Sequence, residues 1–98
     1  MKTITFNFNT TDLASRNIAR DFRTDIENTL EEGEKVIIDL KNVLSISDSF
    51  GDELFGILAL EYGLESFRNK IKISNASSGI VRSIAETINI RINTSKAA

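Results

Sequence analysis

Cysteine and histidine are both absent from this 98-residue chain, and their absence removes whole classes of chemistry. There can be no disulfide framework, no thiolate nucleophile, no imidazole base and no zinc site with nitrogen or sulfur ligands. A Ser-His-Asp mechanism is impossible, which leaves only carboxylate, lysine, tyrosine or serine chemistry. Proline is missing too, and no linker, repeat or low-complexity stretch interrupts the chain. The five glycines at 33, 51, 56, 63 and 79 are too dispersed for a phosphate- or dinucleotide-binding loop. No apolar run is long enough for a membrane span, and the start, MKTITFNFN, has no apolar core of a signal peptide. The lysines and arginines are scattered among carboxylates at a net charge of −2, so no basic stripe points to nucleic acid. These features predict a cytoplasmic protein that is no enzyme, with no cofactor, no metal, no nucleic-acid partner and no membrane contact.

What is present is an ordinary globular composition, 41% apolar and 27% charged, sufficient for one domain over residues 1–98. The chain is organised around Leu44 to Gly63, LSISDSFGDELFGILALEYG. A polar turn, Ser45 to Ser49, leads into a helix that is apolar on nearly every side, through Leu54, Phe55, Ile57, Leu58, Leu60 and Tyr62. Such a helix is predicted to lie at the centre of the fold, against a sheet, and to close at Tyr62-Gly63. Gly51 and Gly56 are unfavourable inside it and imply close packing or a backbone approached by another group, with packing against the sheet as the expected cause.

Elsewhere the periodicity switches between two and about four. Thr3 to Phe8 alternates Ile4, Phe6 and Phe8 against Thr3, Thr5 and Asn7, the pattern of an edge or near-edge strand. Thr10-Thr11-Asp12 offers N-cap candidates for a helix in which Ile18, Phe22, Ile26 and Leu30 form a stripe, with Leu13 one turn earlier. Its charged faces carry Arg16, Arg20, Arg23, Asp25, Glu27 and Glu31, in spacings that predict Arg23–Glu27 and Arg16 or Arg20 with Asp12 as pairs. Gly33 is the expected left-handed stop. Lys35 to Leu40 carries the run Val36-Ile37-Ile38 and reads as a central parallel strand covered on both faces, with Asp39 near its carboxyl end as a loop anchor or a contact. Lys70 to Ser74 reads as a further strand, and Asn75 to Ser78 as a turn and cap. A short helix then carries Ile80, Val81, Ile84 and Ile88, a final edge strand is expected at Ile90–Ile92, and 94–98 as a frayed tail. The predicted class is α/β in the order β-α-β-α-β-α(-β), with about four strands in a mixed sheet and helices packed on it.

The polar chemistry gathers at the start of the central helix: Ser45, Ser47, Asp48, Ser49, Asp52 and Glu53. Ser49 with Asp52 three residues on is close to a capping box, and Asp48 is an equal candidate for the cap. A helix N-terminus also attracts anions, so a phosphoserine or a bound nucleotide is a second reading of the turn, although three nearby carboxylates oppose it. Their spacing fits no Ca²⁺ loop.

The run IIDLKNV, then SISDSFGDELFG, a helix and KIKISNAS resembles the STAS-like domains, bacterial relatives of the anti-sigma factor antagonists, over Val36 to Ser77. The resemblance implies a protein-binding module whose partner is a kinase-like ATPase or an anti-sigma-type protein. It also implies a phosphorylatable serine in a motif like Asp-Ser-Ser-Gly. The corresponding run here is Asp48-Ser49-Phe50-Gly51, and Phe50, at the usual acceptor position, has no hydroxyl. Ser49 and Ser47 are then the candidate acceptors, and the expected contact comprises Ser45, Ser47, Asp48, Ser49, Phe50, Asp52 and Glu53. A nucleotide- or small-anion-binding domain and a non-catalytic scaffold or oligomerisation subunit, using the first strand or an open sheet edge, are the alternatives.

Overall fold

The computed structural model describes residues 2–97, with side chains as far as Ser95. Strands β1 (Thr3–Asn7), β3 (Lys35–Asp39) and β5 (Ile71–Ser74) form a parallel sheet in the order β1-β3-β5. Register places Ile4 beside Val36 and Phe6 beside Ile38, and pairs Val36 with Ile71 and Ile38 with Ile73. Ile4, Phe6, Val36, Ile38, Ile71 and Ile73 therefore share one face, as period two requires. That face joins the core except at Ile4, which is exposed, while Thr3, Thr5, Lys35 and Lys72 on the other face are exposed and Ile37 is half-buried. The α/β class holds, but the sheet is three-stranded and wholly parallel instead of four-stranded and mixed, and β3 is fully covered on one face only.

A second, two-stranded parallel sheet pairs β2 (Asp12–Leu13) with β4 (Ser45–Ile46). Residues 10–13 therefore do not open the first helix. Ser15 caps α1 (Arg16–Glu31) by accepting from the Ile18 N–H at 3.3 Å. With the start moved to Arg16, the inward stripe becomes Ala19, Phe22, Ile26 and Leu30, and Ile18 is left 52% exposed. Leu13 is buried from a strand, and Gly33 takes the expected left-handed stop at φ 85°.

The central segment is helical from Asp48 to Tyr62: α2 (Asp48–Gly51), a π-helical turn (Asp52–Gly56) and α3 (Ile57–Tyr62), ended by Gly63 at φ 83°. Phe50, Leu54, Phe55, Leu58 and Ala59 have no exposed surface. The segment lies between α1 and the last helix, so its close packing is helix on helix, not helix on sheet. A Cβ on Gly56 would come within 2.9 Å of Asp52 Oδ1 and 3.3 Å of Arg91 Cβ, which explains that glycine. Helix α4 (Leu64–Lys70), which sequence periodicity did not signal, follows directly and buries Phe67.

Helix α5 runs from Ser78 to Ala97, with Ser77 Oγ accepting from the Ile80 N–H at 3.2 Å. The final strand predicted at Ile90–Ile92 is therefore helix, because the four-residue spacing of Ile80, Ile84 and Ile88 continues to Ile92 against the core. Ile90 faces outward at 66% exposed. Residues 94–97, expected to fray, belong to this helix, and position 98 lies outside the described residues. No helix among the described residues is long and apolar enough to cross a membrane.

Candidate functional site

The turn after β4 projects from the carboxyl end of the central strand, held there by the two-stranded sheet. Ser47, not Ser49 or Asp48, is the N-cap: its Oγ accepts from the Phe50 N–H at 3.0 Å and donates to the Ala14 carbonyl at 3.0 Å. Ser45 Oγ donates to Asp12 Oδ1 at 2.6 Å. Both hydroxyls thus fasten the turn to the segment before α1. Asp48 and Ser49, the first two residues of the helix, are exposed, and the Ser49 hydroxyl has no capping duty.

Phe50 and Glu53, expected on a partner-facing surface, are instead buried. Phe50 is wholly enclosed, its ring edge-on to Phe8 at 6.1 Å between centroids. Glu53 is 5% exposed and faces α1. The ring is driven inside by its apolar surface, and the Glu53 carboxylate is tolerated there because its arginine partners replace the hydration it loses.

Glu53 and Asp52 divide four arginines between them. Glu53 Oε1 accepts from Arg16 Nη1 at 2.9 Å, its Oε2 accepts from Arg23 Nη2 at 2.7 Å, and Arg20 Nε stands 3.8 Å away. Asp52 accepts both bonds of an Arg91 fork, at 2.8 and 2.6 Å, and a longer one from Arg16 at 3.3 Å. Burial pushes the Glu53 carboxyl up, but the Arg16 and Arg23 bonds outweigh it and hold it below its ordinary value. The Arg91 fork holds Asp52 below its ordinary value, with Arg16 adding to it. In turn Glu53, then Asp52, raises the Arg16 guanidinium.

Arginines at positions 16, 20 and 23 recur at i, i+4 and i+7 beside the apolar stripe, and that spacing was the available signal for a shared partner. Arg16 and Arg20, expected beside Asp12, meet Glu53 instead. Arg23–Glu27 forms as predicted, at 3.2 Å.

Arg23 also stands 3.6 Å from Glu61, which shares its surroundings with Glu27. Burial, then the neighbouring Glu27, raises the Glu61 carboxyl from 4.5 to about 6. The native state therefore favours a proton there, a contribution present below 4.5 and lost as pH rises through about 6. Glu61→Gln is expected to stabilise the fold at about pH 7.5 and not at about pH 4, by less than about 1 kcal/mol because the side chain is 44% exposed and solvent screens it. Urea unfolding of both proteins at the two pH values checks the sign.

At the carboxyl end of β3, Asp39 accepts from Asn75 Nδ2 and from the Lys41 N–H, each at 3.0 Å. Asn75, and then that N–H, holds its carboxyl below the ordinary value. It ties two strand-end loops together, which is the anchoring role, and the left-handed Asn75 at φ 58° sits in the same tie.

Between the turn and α5 lies an open groove of about 420 Å³, with Arg16, Asp48, Ser49 and Asp52 on one side and Ser83, Glu86, Thr87 and Ile90 on the other. Anion binding at the N-terminus of α2 finds the Phe50 N–H already satisfied by Ser47 and the exposed Asp48 beside it. Among the described residues no group of three or more potential ligands converges in a way that could hold a metal ion.

A short parallel sheet, helices on its apolar face and a serine-capped helix entering after the central strand define a STAS-like α/β domain. The chain belongs to the family described as STAS-like domain of unknown function (DUF4325), whose model matches residues 19–81. No curated protein and no solved structure matches it.

Proposed function

We propose that this domain is a regulatory protein-binding module that meets its partner through the exposed part of the turn, Ser45, Asp48 and Ser49, and the adjoining groove. The observation that carries the proposal is the position of Ser49: exposed, free of capping duty, and on the rim of a groove whose far wall includes the outward Ile90. Apolar surface flanked by carboxylates suits a partner that brings a hydrophobic side chain together with Arg or Lys. The resemblance to anti-sigma factor antagonists supports a kinase-like ATPase or an anti-sigma-type protein as that partner. Phosphorylation of Ser49 would add up to about two negative charges beside Asp48 and Asp52 and within the groove that Arg16 lines. It would repel a basic partner and compete for Arg16, switching the contact by electrostatics. Ser47 is the poorer acceptor, since its hydroxyl already makes two bonds that hold the turn.

The test is a tagged pull-down from the native cell with wild type, Ser49→Ala and Ser49→Asp, with intact mass recorded on each. Wild type and Ser49→Ala are expected to retain one common partner. Ser49→Asp is expected to bind it at least about tenfold more weakly, a loss of about 1.4 kcal/mol. Equal retention by all three proteins, with no phosphate on wild type, would leave Ser49 without a regulatory role.

A further inference from the structure

The opposite end of the sheet carries a feature unrelated to the turn. A second groove of about 420 Å³ opens where the strands begin, at Thr3, Lys35 and Ile71, the first residues of β1, β3 and β5. Lys35 and Lys72 enter it from the strands, and Arg68 and Lys70 from the end of α4. No carboxylate lines it. None of these four cations lies within ion-pair distance of an acidic group among the described residues, whereas Arg16, Arg20, Arg23 and Arg91 are all engaged. The groove thus concentrates four of the chain's 12 basic residues in a protein of net charge −2. Glu34, in the adjoining cavity beside Lys35 and Lys70, is the nearby carboxylate but makes no ion pair with them. Like charges gathered without a paired counter-charge favour a bound anion.

Part of the charge has a local duty. Arg68 and Lys70 occupy the last turn of α4, where cations offset the carbonyl end of the helix. Lys35 and Lys72 have no such duty, and both project from the uncovered face of the sheet. Lysines act as mobile point charges suited to phosphate, and the cavity has the volume of a small-ligand site. Half-buried Ile37 gives it an apolar floor.

We infer that this groove binds a small molecule carrying two or more linked phosphates, held by Lys35, Lys72, Arg68 and Lys70. The site is independent of the proposed partner surface, being at the other end of the strands.

Inorganic tripolyphosphate is the probe, titrated at low ionic strength into wild type, Lys35→Glu/Lys72→Glu and the control Lys41→Glu, with thermal shift and backbone-amide NMR as readouts. The substituted side chains are exposed, and circular dichroism confirms that each variant is folded. Wild type and Lys41→Glu are expected to show a saturable rise in midpoint, with amide shifts confined to residues around 35–37 and 68–72. The double variant is expected to bind at least about tenfold more weakly, and added salt to weaken wild-type binding. Should charge reversal prove destabilising, Lys35→Gln/Lys72→Gln supplies the same comparison. Because the same phosphates occur on lipid headgroups, co-sedimentation with phosphatidylinositol-bisphosphate vesicles forms a separate arm. Capture by vesicles without tripolyphosphate binding would overturn the small-molecule inference. So would a response equal in all variants, or none in wild type.

Discussion

Glu53→Ala is expected to destabilise the domain by about 3 kcal/mol, the lower end of the cost of breaking a buried ion pair. The carboxylate is the shared acceptor for Arg16 and Arg23, and Arg20 lies at its edge. Arg16 and Arg20 are 42% and 55% exposed and would turn to water, or for Arg16 to Asp52, at little cost. Arg23 would not: its side chain is 16% exposed, and its Nε is already buried without a hydrogen-bond partner. Glu27 would remain to it, which keeps the loss from being larger. On a domain of this size the loss lowers the midpoint by roughly 12–24 °C. Urea unfolding followed by far-UV circular dichroism is the measurement, since the chain has no tryptophan.

The same carboxylates make the fold sensitive to acid. Glu53 and Asp52 both titrate below their ordinary values in the folded state. Their contribution is therefore complete above the ordinary values of 4.5 and 3.8 and is lost as pH falls through the lower folded ones. Glu53→Gln, which keeps the shape and removes the charge, is expected to flatten the fall in stability below about pH 4.5. A loss in Glu53→Ala of under about 1 kcal/mol would mean that the arginines are as well served by water as by this carboxylate.

Phe50→Ala is expected to cost about 3–5 kcal/mol, which is much of the ~5–10 kcal/mol available to a domain of this length. The ring has no exposed surface and joins an aromatic cluster in which Phe8 contacts both Phe50 and Phe22, the latter at 4.4 Å between centroids. Removing it leaves a cavity among side chains from the residue that follows β1, from α1 and from the central helix, three segments that cannot collapse together. Phe50→Ser, which restores the hydroxyl of the Asp-Ser-Ser-Gly motif, is expected to be at least as damaging, because it adds a buried polar group to the cavity. Such a serine would lie in the core, out of a kinase's reach while the domain is folded. Thermal unfolding of both variants checks this, and midpoints within a few degrees of wild type would contradict the assigned burial.

Local pattern by itself determined the three strands of the larger sheet and the central helix, but neither β2 nor β4, and at Ile90 and Ile92 the same alternation belongs to a helix. Period two in Thr3 to Phe8, the run Val36-Ile37-Ile38 and Ile71 and Ile73 mark strands, because side-chain alternation is a property of the backbone itself. Gly33 and Gly63 mark helix ends for an equally local reason, the left-handed φ that only glycine adopts freely. The polar turn ahead of the central helix was legible as a site because hydroxyls and carboxylates so close in sequence must be close in space. Tertiary structure alone decided which of them are used and how. Three serines within five residues compete to cap one helix, and Ser47 prevails because the β2–β4 pairing brings the Ala14 carbonyl to it. The inverted roles of Phe50 and Glu53, the meeting of α1 arginines with Glu53, and the Arg91 fork on Asp52 all join residues some 30 or more positions apart. Charged side chains at helical spacing look alike whether they face water or a partner helix. Only the packing of α1 and α5 against the π-helical turn separates the two.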